Sequence, residues 1–457
     1  MGLKNDNRGS FSGKIGFVLS AAGASVGLGN IWRFPYLCAK YGGGIFLLVY
    51  IVLALTFGYT MIVAETAIGR STKKSPVGAF NAISGSKVMG IGGWINAVIP
   101  ILIVPYYSVI GGWVCKYLFE YLRSDAEVVA SDCFFVDFIT NGADSELWFI
   151  IFAILVLAVI FMGVENGIER VSKFVMPILV VLAIIICIYS VTRPGAIEGV
   201  KYLFIPNVTN FSVMTVVTAM GQMFYSLSIA MGILITFGSY VKKEVSIDES
   251  TRQVEFFDTA IAILASLMII PAVFSFYNGD QSMLKAGPSL MFITMPKIFA
   301  SMGFGRIIGI LFFALVLFAA VTSAIALTES AVSTFSDEFG WSRKRGTIIM
   351  AVIMVGLGSL SSLGNGPLSN VTIIGMQFLD FFDFITNSIM MPIAALATCI
   401  LITKYMTVEK LSQEVEEGGH PFGRKHIFSF MIRFLCPVFV VIILVSAVLN
   451  VFGIISM

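Results

Sequence analysis

The sequence predicts an all-α protein that crosses a membrane about eleven times and forms a single transmembrane domain over residues 1–457. Two observations lead to this fold class. Hydrophobic residues make up 57% of the chain and charged residues only 12%, whereas soluble domains carry about 25% charged residues. Long uncharged runs also recur along the chain, and a bilayer core about 30 Å thick needs roughly 20 apolar residues per helix.

Eleven apolar runs mark the predicted membrane spans, and the polar segments between them are too short to form a separate domain. We number these spans in chain order. Their approximate ranges are 15–37, 45–68, 91–121, 147–162, 174–191, 213–240, 257–276, 307–335, 347–363, 371–405 and 427–452.

Basic residues in the short loops predict the orientation, because loops rich in lysine and arginine stay on the cytoplasmic side. Acidic residues instead crowd the loop that follows the third span. We therefore expect a multi-pass protein of the plasma membrane with a cytoplasmic N-terminus and an extracellular C-terminus. The basic residues that support this prediction are Lys4, Arg8, Lys14, Arg70, Lys73, Lys74, Lys87, Arg343, Lys344, Arg345, Arg424 and Lys425.

Charge and cysteine content exclude several other classes. The net charge is only +2 and the basic residues are scattered, which argues against nucleic-acid binding and leaves membrane lipid and small solutes as partners. Of six cysteines only Cys133 lies in a clearly polar loop, so neither a disulfide framework nor a CxxC metal motif is predicted. His420 and His426 share one late loop without a nucleophile motif, so an enzyme is not expected.

The middle of the first span contains an unusual density of glycine. Residues 23–30 read Gly-Ala-Ser-Val-Gly-Leu-Gly-Asn, and each glycine weakens a helix by up to about 1 kcal/mol. We expect the helix to unwind here, which is tolerated within a membrane only where the freed backbone lines a cavity. Close helix packing through small residues is the alternative.

The sixth span shows the same feature, because residues 221–232 are rich in glycine, hydroxyl and small side chains. Two interrupted helices five spans apart suggest an internal repeat. In transporters such a pair indicates a binding site near the middle of the membrane.

These segments resemble the neurotransmitter sodium symporter family. Residues 27–35 read Gly-Leu-Gly-Asn-Ile-Trp-Arg-Phe-Pro and are followed by three glycines at 42–44. The resemblance covers nearly the whole chain and is strongest to bacterial amino-acid transporters with eleven helices. It implies two five-helix inverted repeats, at about 10–192 and 210–406, and an added helix at about 427–455. Further matching residues are Tyr106, Tyr107, Trp113, Gly221, Gln222, Ser239, Tyr240, Ala319, Thr322 and Ser323.

The resemblance implies two sodium sites built only from oxygen atoms, which suit a hard cation. The residues taken alone leave open that Thr322 and Ser323 are helix-packing hydroxyls. The first site would use the Ser25 carbonyl, Asn30, Ser226 and Asp258, and the second would use the carbonyls of Gly23, Val26 and Ala319 with the hydroxyls of Thr322 and Ser323.

The resemblance also implies an amino-acid site between the two interrupted helices. The substrate carboxylate would meet the Leu28 and Gly29 amides and the Tyr107 hydroxyl, although Tyr107 alone could be an interfacial aromatic residue. Its ammonium group would meet the carbonyls of Ser25, Tyr225 and Ser226 and the Ser228 hydroxyl. The remaining lining residues would be Ile103, Met231, Ser323 and Leu327.

Position 27 carries the clearest indication of substrate class. Monoamine transporters of this family have an aspartate there, whereas this chain has Gly27. An amine without its own carboxylate would leave the amide cluster unpaired. We therefore expect an α-amino acid, with a large hydrophobic or aromatic side chain preferred.

Two charged gates are implied by the same resemblance. Arg33 would pair with Asp383 on the extracellular side beneath a lid formed by Tyr225, although the two charges could simply face solvent. Arg8 would pair with Asp337 on the cytoplasmic side, supported by Tyr240. Glu329 stands near that gate where a related transporter has a neutral glutamine.

Chloride is not expected, because Asp258 would supply the negative charge that chloride supplies in animal relatives. Asp258 facing water is the alternative reading. A further hypothesis concerns the fifth span, where Gly167 precedes Pro177 by ten positions. We expect this stretch to unwind during sodium release, and a static kink is the alternative.

The predicted function is sodium-coupled amino-acid symport. An amino-acid sensor or a channel on the same fold is the second hypothesis.

Overall fold

The computed structural model describes residues 9–279 and 288–451, with the side chain of Val451 excepted. Helices dominate these ranges, which contain no β-strand and only two isolated bridges, Gly43 with Pro206 and Ile373 with Met376. The predicted all-α polytopic fold is confirmed. The predicted gate residue Arg8 lies outside the described residues.

Nine helices of the described ranges are long and apolar enough to cross a membrane, and a tenth pass consists of two helices bent by 54°. The bent pair is α1, with halves Lys14–Ser25 and Gly29–Lys40. The unbroken passes are α2 (Gly44–Thr72), α3 (Lys87–Arg123), α4 (Gly142–Phe161), α5 (Val164–Val191), α7 (Ile247–Phe276), α8 (Gly305–Phe339), α9 (Arg343–Leu363), α10 (Phe378–Met406) and α11 (Lys425–Asn450).

The sixth predicted span is divided into two short helices, and neither half is long enough to cross a membrane by itself. Its halves are Val213–Ser226 and Ile233–Tyr240, separated by six residues. We call this pair α6. Both α1 and α6 are thus interrupted near their middles, as the glycine-rich sequence predicts.

Two kinds of boundary differ from the sequence prediction. Helices α5 and α7 begin about ten residues earlier than their apolar runs, because their first turns are charged and a helix can continue beyond the hydrocarbon core. The tenth span was predicted from residue 371, but α10 begins at Phe378. The residues before it form turns that include Ile374 and Gly375 at positive φ, so the predicted start of this span is wrong.

The second half of α6 packs tightly against α2. A Cβ atom placed on Gly69 of α2 would overlap the Ile235 carbonyl, and one on Gly238 of α6 would overlap the Thr66 carbonyl. Glycine at both positions therefore allows the two backbones to touch, as is common between membrane helices. This contact places the inner residues of α6 beside α8 and the first half of α1.

Candidate functional site

The break in α1 exposes backbone groups at the centre of the protein. Helical hydrogen bonding ends at Ser25, Val26 is extended with φ −74° and ψ 100°, and the chain resumes as a π-helical turn at Gly29–Arg33. The Gly27 amide donates to Asn30 Oδ1 at 3.1 Å. Carbonyl and amide groups near the break are therefore available to a ligand.

The break in α6 is held in an unusual backbone conformation. Ser228 and Ala230 have φ values of 53° and 59°, which non-glycine residues rarely adopt. The Ala230 amide donates to Glu65 Oε1 at 2.8 Å, and the Ser228 hydroxyl donates to the Ala24 carbonyl at 3.0 Å. Sequence reasoning missed Glu65, although an acidic residue inside an apolar span is itself a signal of function.

All of the residues predicted to contact substrate line one cavity between these two breaks. Its volume is about 30 Å³, which holds only a few water molecules at roughly 10–15 Å³ each. The lining residues are Ala24, Ser25, Gly27, Leu28, Gly29, Ile103, Tyr107, Tyr225, Ser226, Ser228, Met231, Ser323 and Leu327.

The cavity has a polar end and an apolar end. At the polar end the Leu28 amide lies 3.4 Å from the Tyr107 hydroxyl oxygen. A Cβ atom on Gly27 would lie 2.7 Å from Ser323 Oγ and 3.1 Å from the Tyr107 hydroxyl, so this position has no room for a side chain. Ile103, Met231 and Leu327 supply the apolar lining.

A buried carboxylate lies beside the cavity. Asp258 has no exposed surface, and its oxygens accept hydrogen bonds from Asn30 Nδ2 at 2.8 Å, the Ser226 hydroxyl at 2.9 Å and the Tyr50 hydroxyl at 3.0 Å. No lysine or arginine of the described ranges forms an ion pair with it. The alternative in which Asp258 faces water does not agree with this burial. The Ser25 hydroxyl donates to the Ala21 carbonyl at 3.1 Å, whereas the group predicted to join this cluster is the Ser25 carbonyl.

A second cluster of oxygen atoms joins α8 to the end of the first half of α1. Ser323 Oγ lies 3.3 Å from the Gly23 carbonyl, 3.2 Å from that of Ala24 and 3.3 Å from that of Val26. Thr322 Oγ1 lies 3.1 Å from the Ala319 carbonyl. The structure therefore places the predicted residues of this set next to one another.

Neither cluster resembles a transition-metal site. The described part of the chain contains no group of three or more His, Cys, Asp or Glu side chains that could hold a metal ion. Hydroxyls, carbonyls and a single carboxylate are ligands for a hard cation.

A vestibule of about 440 Å³ lies above the cavity, and Tyr225 lines both spaces. Arg33 and Asp383 both line this vestibule but form no ion pair within 4 Å. The Arg33 guanidinium lies 5.3 Å from the Tyr225 ring centre. Asp383 accepts hydrogen bonds from the Tyr106 hydroxyl at 3.2 Å and from Asn387 Nδ2 at 2.5 Å. The two predicted gate residues thus face one space without touching.

The opposite side of the cavity is closed by packed residues, and we call it the N-terminal face. The Phe11 amide donates to the Tyr240 carbonyl at 3.2 Å, and the two rings pack edge to face at 6.0 Å. The Tyr240 hydroxyl donates to Glu329 at 2.7 Å, and Glu329 pairs with Arg343 at 2.5 Å. Asp337 accepts a hydrogen bond from the Ser75 amide at 2.6 Å.

Sequence reasoning noted Glu329 but missed Arg343 as its partner. The two residues lie on neighbouring helices, α8 and α9, and Arg343 appeared only as one basic residue of a loop. A charge in a buried stretch of α8 was the available signal that a partner of opposite charge lies nearby.

Comparison with known proteins agrees with this architecture. The model of the sodium:neurotransmitter symporter family matches residues 8–134 and 136–454. An uncharacterized sodium-dependent transporter of Bacillus subtilis strain 168, YhdH, is 32% identical over 98% of both chains. An uncharacterized sodium-dependent transporter of Haemophilus influenzae is 30% identical over 98% of this chain and 99% of its own length.

A solved structure shows the same fold. The crystal structure of MhsT in complex with L-phenylalanine superimposes with a TM-score of 0.87 and 37% sequence identity, covering 96% of this chain and 100% of that one. The family consists of transporters and not of enzymes, which agrees with the sequence prediction. This protein is a sodium-dependent, multi-pass membrane transporter that belongs to the sodium:neurotransmitter symporter family.

Proposed function

We propose that the protein moves an α-amino acid together with sodium into the cell by exposing one central site alternately to the two sides of the membrane. The observation that carries this proposal is Asp258, a fully buried carboxylate whose hydrogen-bond partners are all neutral. A buried charge without a partner of opposite charge is strongly unfavourable. A cation bound next to Asp258 removes that cost.

Sodium is the cation that this site suits. Asp258, Asn30 and Ser226 lie within one hydrogen-bonded cluster beside the cavity. Asp258 and Ser226 offer oxygen ligands, and Asn30 does the same once its side-chain amide rotates to present Oδ1 in place of Nδ2. The carbonyls of Gly23, Val26 and Ala319 with the Thr322 and Ser323 hydroxyls form the proposed second sodium site. Two sodium ions would then accompany each substrate.

The polar end of the cavity fits the zwitterionic part of an amino acid. The Leu28 and Gly29 amides and the Tyr107 hydroxyl would bind its carboxylate, because exposed amides favour an anion. The Ser228 hydroxyl and the carbonyls of Ser25, Tyr225 and Ser226 would bind its ammonium group. Gly27 adds no carboxylate, which disfavours amines that lack a carboxylate of their own.

The apolar end suits a large hydrophobic or aromatic side chain. Ile103, Met231 and Leu327 offer no hydrogen bond to a polar substrate. The cavity is small, so binding a large side chain requires neighbouring side chains to move, and methionine adapts its shape readily. The related MhsT structure contains L-phenylalanine.

Transport should not require chloride. Two sodium ions and a zwitterion bring two positive charges into a region of low dielectric, where the Asp258 carboxylate offsets one of them. Chloride bound near Tyr50, Gln222 and Ser226 would be repelled by that carboxylate. Asp258→Asn should therefore lose uptake or become stimulated by chloride.

We assign the N-terminal face to the cytoplasm, in agreement with the basic residues of its loops. The vestibule with Arg33 and Asp383 then faces outwards, and Asp337 and Tyr240 belong to the inner gate. Uptake would begin in the vestibule and end with opening of the N-terminal face.

The decisive experiment is uptake of radiolabelled phenylalanine and leucine by proteoliposomes that contain the purified protein. A symporter concentrates substrate when sodium is outside, and it stops when the sodium gradient is abolished. A channel would not concentrate substrate, and a sensor would bind it without moving it. Replacing chloride by gluconate at constant sodium should leave uptake unchanged, and loss of uptake would contradict the role given to Asp258.

A further inference from the structure

The connection between α5 and α6, residues 192–212, lies on the vestibule side of the protein. Helix α5 begins beside the N-terminal face, where Glu169 binds Ser12, so its other end at Val191 reaches the opposite side. The first half of α6 then returns from Val213 to the central cavity. The connection contains a nine-residue helix, Ala196–Phe204, which we call the loop helix.

The loop helix presents three different faces. One face is apolar and exposed: Ile197 is 57% exposed, and Phe204, two turns later on the same side, is 46% exposed. A second face is charged, since the exposed side chains of Glu198 and Lys201 pair at 2.8 Å. An apolar face next to a charged one is typical of helices that lie in a membrane interface. The third face packs against the protein and consists of Ala196, Gly199 and Leu203.

Large apolar side chains remain exposed beyond the loop helix. Val208, in the turn before α6, is 76% exposed. So many exposed apolar side chains in one short connection are unfavourable in water and mark a contact surface. We call these residues the apolar set: Ile197, Phe204, Ile205, Val208, Phe211 and Val213.

The position of the connection favours lipid as the partner of the apolar set. Helices α5 and α6 both belong to the membrane-spanning fold, so the connection leaves and re-enters the bilayer on one side. The last turns of α5 already expose Ile184 and Ile188, which is the lipid-facing surface of that helix. The apolar set continues this surface along the chain, and Glu198 with Lys201 can still reach water.

The buried face of the loop helix packs against the end of α7. A Cβ atom on Gly199 would lie 2.8 Å from the Pro271 Cα atom, so glycine lets the two helices touch. The ring of Tyr202 also lies 5.5 Å from the ring of Phe274. The connection is therefore fixed on the protein side as well as exposed on the other.

The same connection holds the turn that joins α1 to α2. Gly43 has φ 60°, and a Cβ atom there would overlap the Tyr202 carbonyl. A Cβ atom on Gly44 would lie 2.7 Å from the Ile205 carbonyl carbon. The Tyr202 hydroxyl donates to the Ala39 carbonyl at 2.6 Å, close to the end of the second half of α1. This half of α1 contains the vestibule residue Arg33.

We propose that residues 196–213 form an interfacial anchor whose apolar set inserts into the membrane leaflet on the vestibule side. Phospholipid at the boundary between headgroups and acyl chains is the partner, and it holds the connection against the turn between α1 and α2. The apolar set requires no particular headgroup, because its side chains carry no charge. The inference depends on the membrane fold and is independent of the substrate.

Spin labels on the full-length protein test the location of the anchor. Single cysteines are introduced by Ile197→Cys and Val208→Cys in a Cys133→Ser background, since the other described cysteines are buried. The protein is reconstituted into vesicles of phosphatidylcholine and phosphatidylglycerol. Relaxation by oxygen, which enters hydrocarbon, is compared with relaxation by a water-soluble nickel chelate.

Glu198→Cys is the matched control, because it places the label on the charged face of the same helix. The ratio of oxygen to nickel accessibility should be about tenfold higher at positions 197 and 208 than at position 198. Equal ratios at the three positions would overturn the proposal. Spin–spin broadening at position 208 that disappears on dilution with unlabelled protein would show that a second copy covers this face, and it would also overturn the proposal.

The thiol of Cys38 reports whether lipid contact holds the turn between α1 and α2. Cys38 is fully buried, and its Sγ lies 3.4 Å from the Gly43 carbonyl oxygen. The paired changes Ile197→Asp and Val208→Asp place carboxylates in the proposed lipid contact. In the same vesicles, N-ethylmaleimide should then modify Cys38 about threefold faster, because weaker local contacts allow more frequent opening.

Val128→Asp is the control for an added carboxylate, because it changes an exposed valine of the acidic loop after α3. It should leave the Cys38 rate unchanged. Equal Cys38 rates in all three proteins, or the same rise in Val128→Asp, would contradict the hold on the turn. Buried Cys399 of α10 is the internal reference. If the paired changes also expose Cys399, the variant has unfolded, and Val208→Asp alone then provides the comparison.

Discussion

The two sides of the central cavity differ in how their charged groups are paired. On the vestibule side Arg33 and Asp383 share a space of about 440 Å³, and Asp383 is bound by the neutral groups of Tyr106 and Asn387. On the N-terminal face Glu329 is fully buried and pairs with Arg343 at 2.5 Å. The open side thus has separated charges and the closed side has paired ones.

This difference indicates how the two sides can exchange roles. Closing the vestibule would bring Arg33 to Asp383 over the Tyr225 ring, which already lies beneath the guanidinium group. Opening the N-terminal face would separate buried groups that now satisfy one another, including Tyr240 and Glu329. In the proposed cycle, sodium and substrate would shift the equilibrium between these two arrangements only by their difference in affinity for them.

The largest effect on amino-acid uptake is expected from a substitution in the central cavity, between the vestibule and the N-terminal face. Gly27→Asp places a carboxylate beside the proposed substrate carboxylate, where an added Cβ atom already lies 2.7 Å from Ser323 Oγ. Amino-acid uptake by proteoliposomes should fall at least about a hundredfold, because like charges repel strongly in a poorly solvated site.

Gly221→Ala is the control for this change, since a Cβ atom there meets no other atom within 4 Å. It should retain nearly normal uptake. Undiminished uptake by Gly27→Asp would instead contradict the proposed binding of a zwitterion.

Removing the partner of Glu329 should break the closed state of the N-terminal face. Loss of one member of a buried ion pair costs about 3–5 kcal/mol, and the 31% exposure of Arg343 favours the lower end. In Arg343→Met, a cysteine introduced at the buried Thr236 should react with a thiol reagent about tenfold faster. Cys133→Ser provides the background, because the other described cysteines are buried.

Arg345→Met is the matched control on the same helix. Arg345 is exposed and stacks on Trp341 at 4.8 Å, so its loss should leave the reaction rate unchanged. Equal rates in the two variants would show that the ion pair does not keep this face closed.

Changing Pro177 of α5 should affect opening of the N-terminal face but not substrate binding from the vestibule side. Pro177→Ala restores a helical hydrogen bond donor and should slow turnover and sodium release several-fold. Sodium-dependent substrate binding at equilibrium should stay the same. Rapid-mixing measurement of sodium release checks this prediction, and an unchanged rate would favour a static kink at Pro177.

The smallest effect is expected in the vestibule, where the charges are already apart. Asp383→Asn can still accept a hydrogen bond from Tyr106 but cannot form an ion pair with Arg33. Partly exposed ion pairs contribute about 1 kcal/mol or less, so substrate should dissociate to this side about two- to fivefold faster. Asp380→Asn, an exposed residue of the same vestibule, should show no change.

Local backbone properties determined much of the architecture from the sequence alone. The apolar runs predicted a polytopic all-α fold, and the glycine-rich middles of α1 and α6 predicted the two breaks. The cavity residues were predicted because the motif at 27–35 resembles a known family, and the structure brings these residues together around one space. The positions of the helix breaks and the lengths of the apolar runs depend on residues that are neighbours in the chain, so both can be predicted from the sequence.

Only the tertiary structure decided which buried charges meet. Glu65 binds the Ala230 amide 165 positions away, Glu169 binds Ser12, and Glu329 pairs with Arg343. The separation of Arg33 from Asp383 likewise depends on how far the vestibule is open. The partner of a buried carboxylate is set by the packing of distant helices, and no spacing along the chain encodes that arrangement.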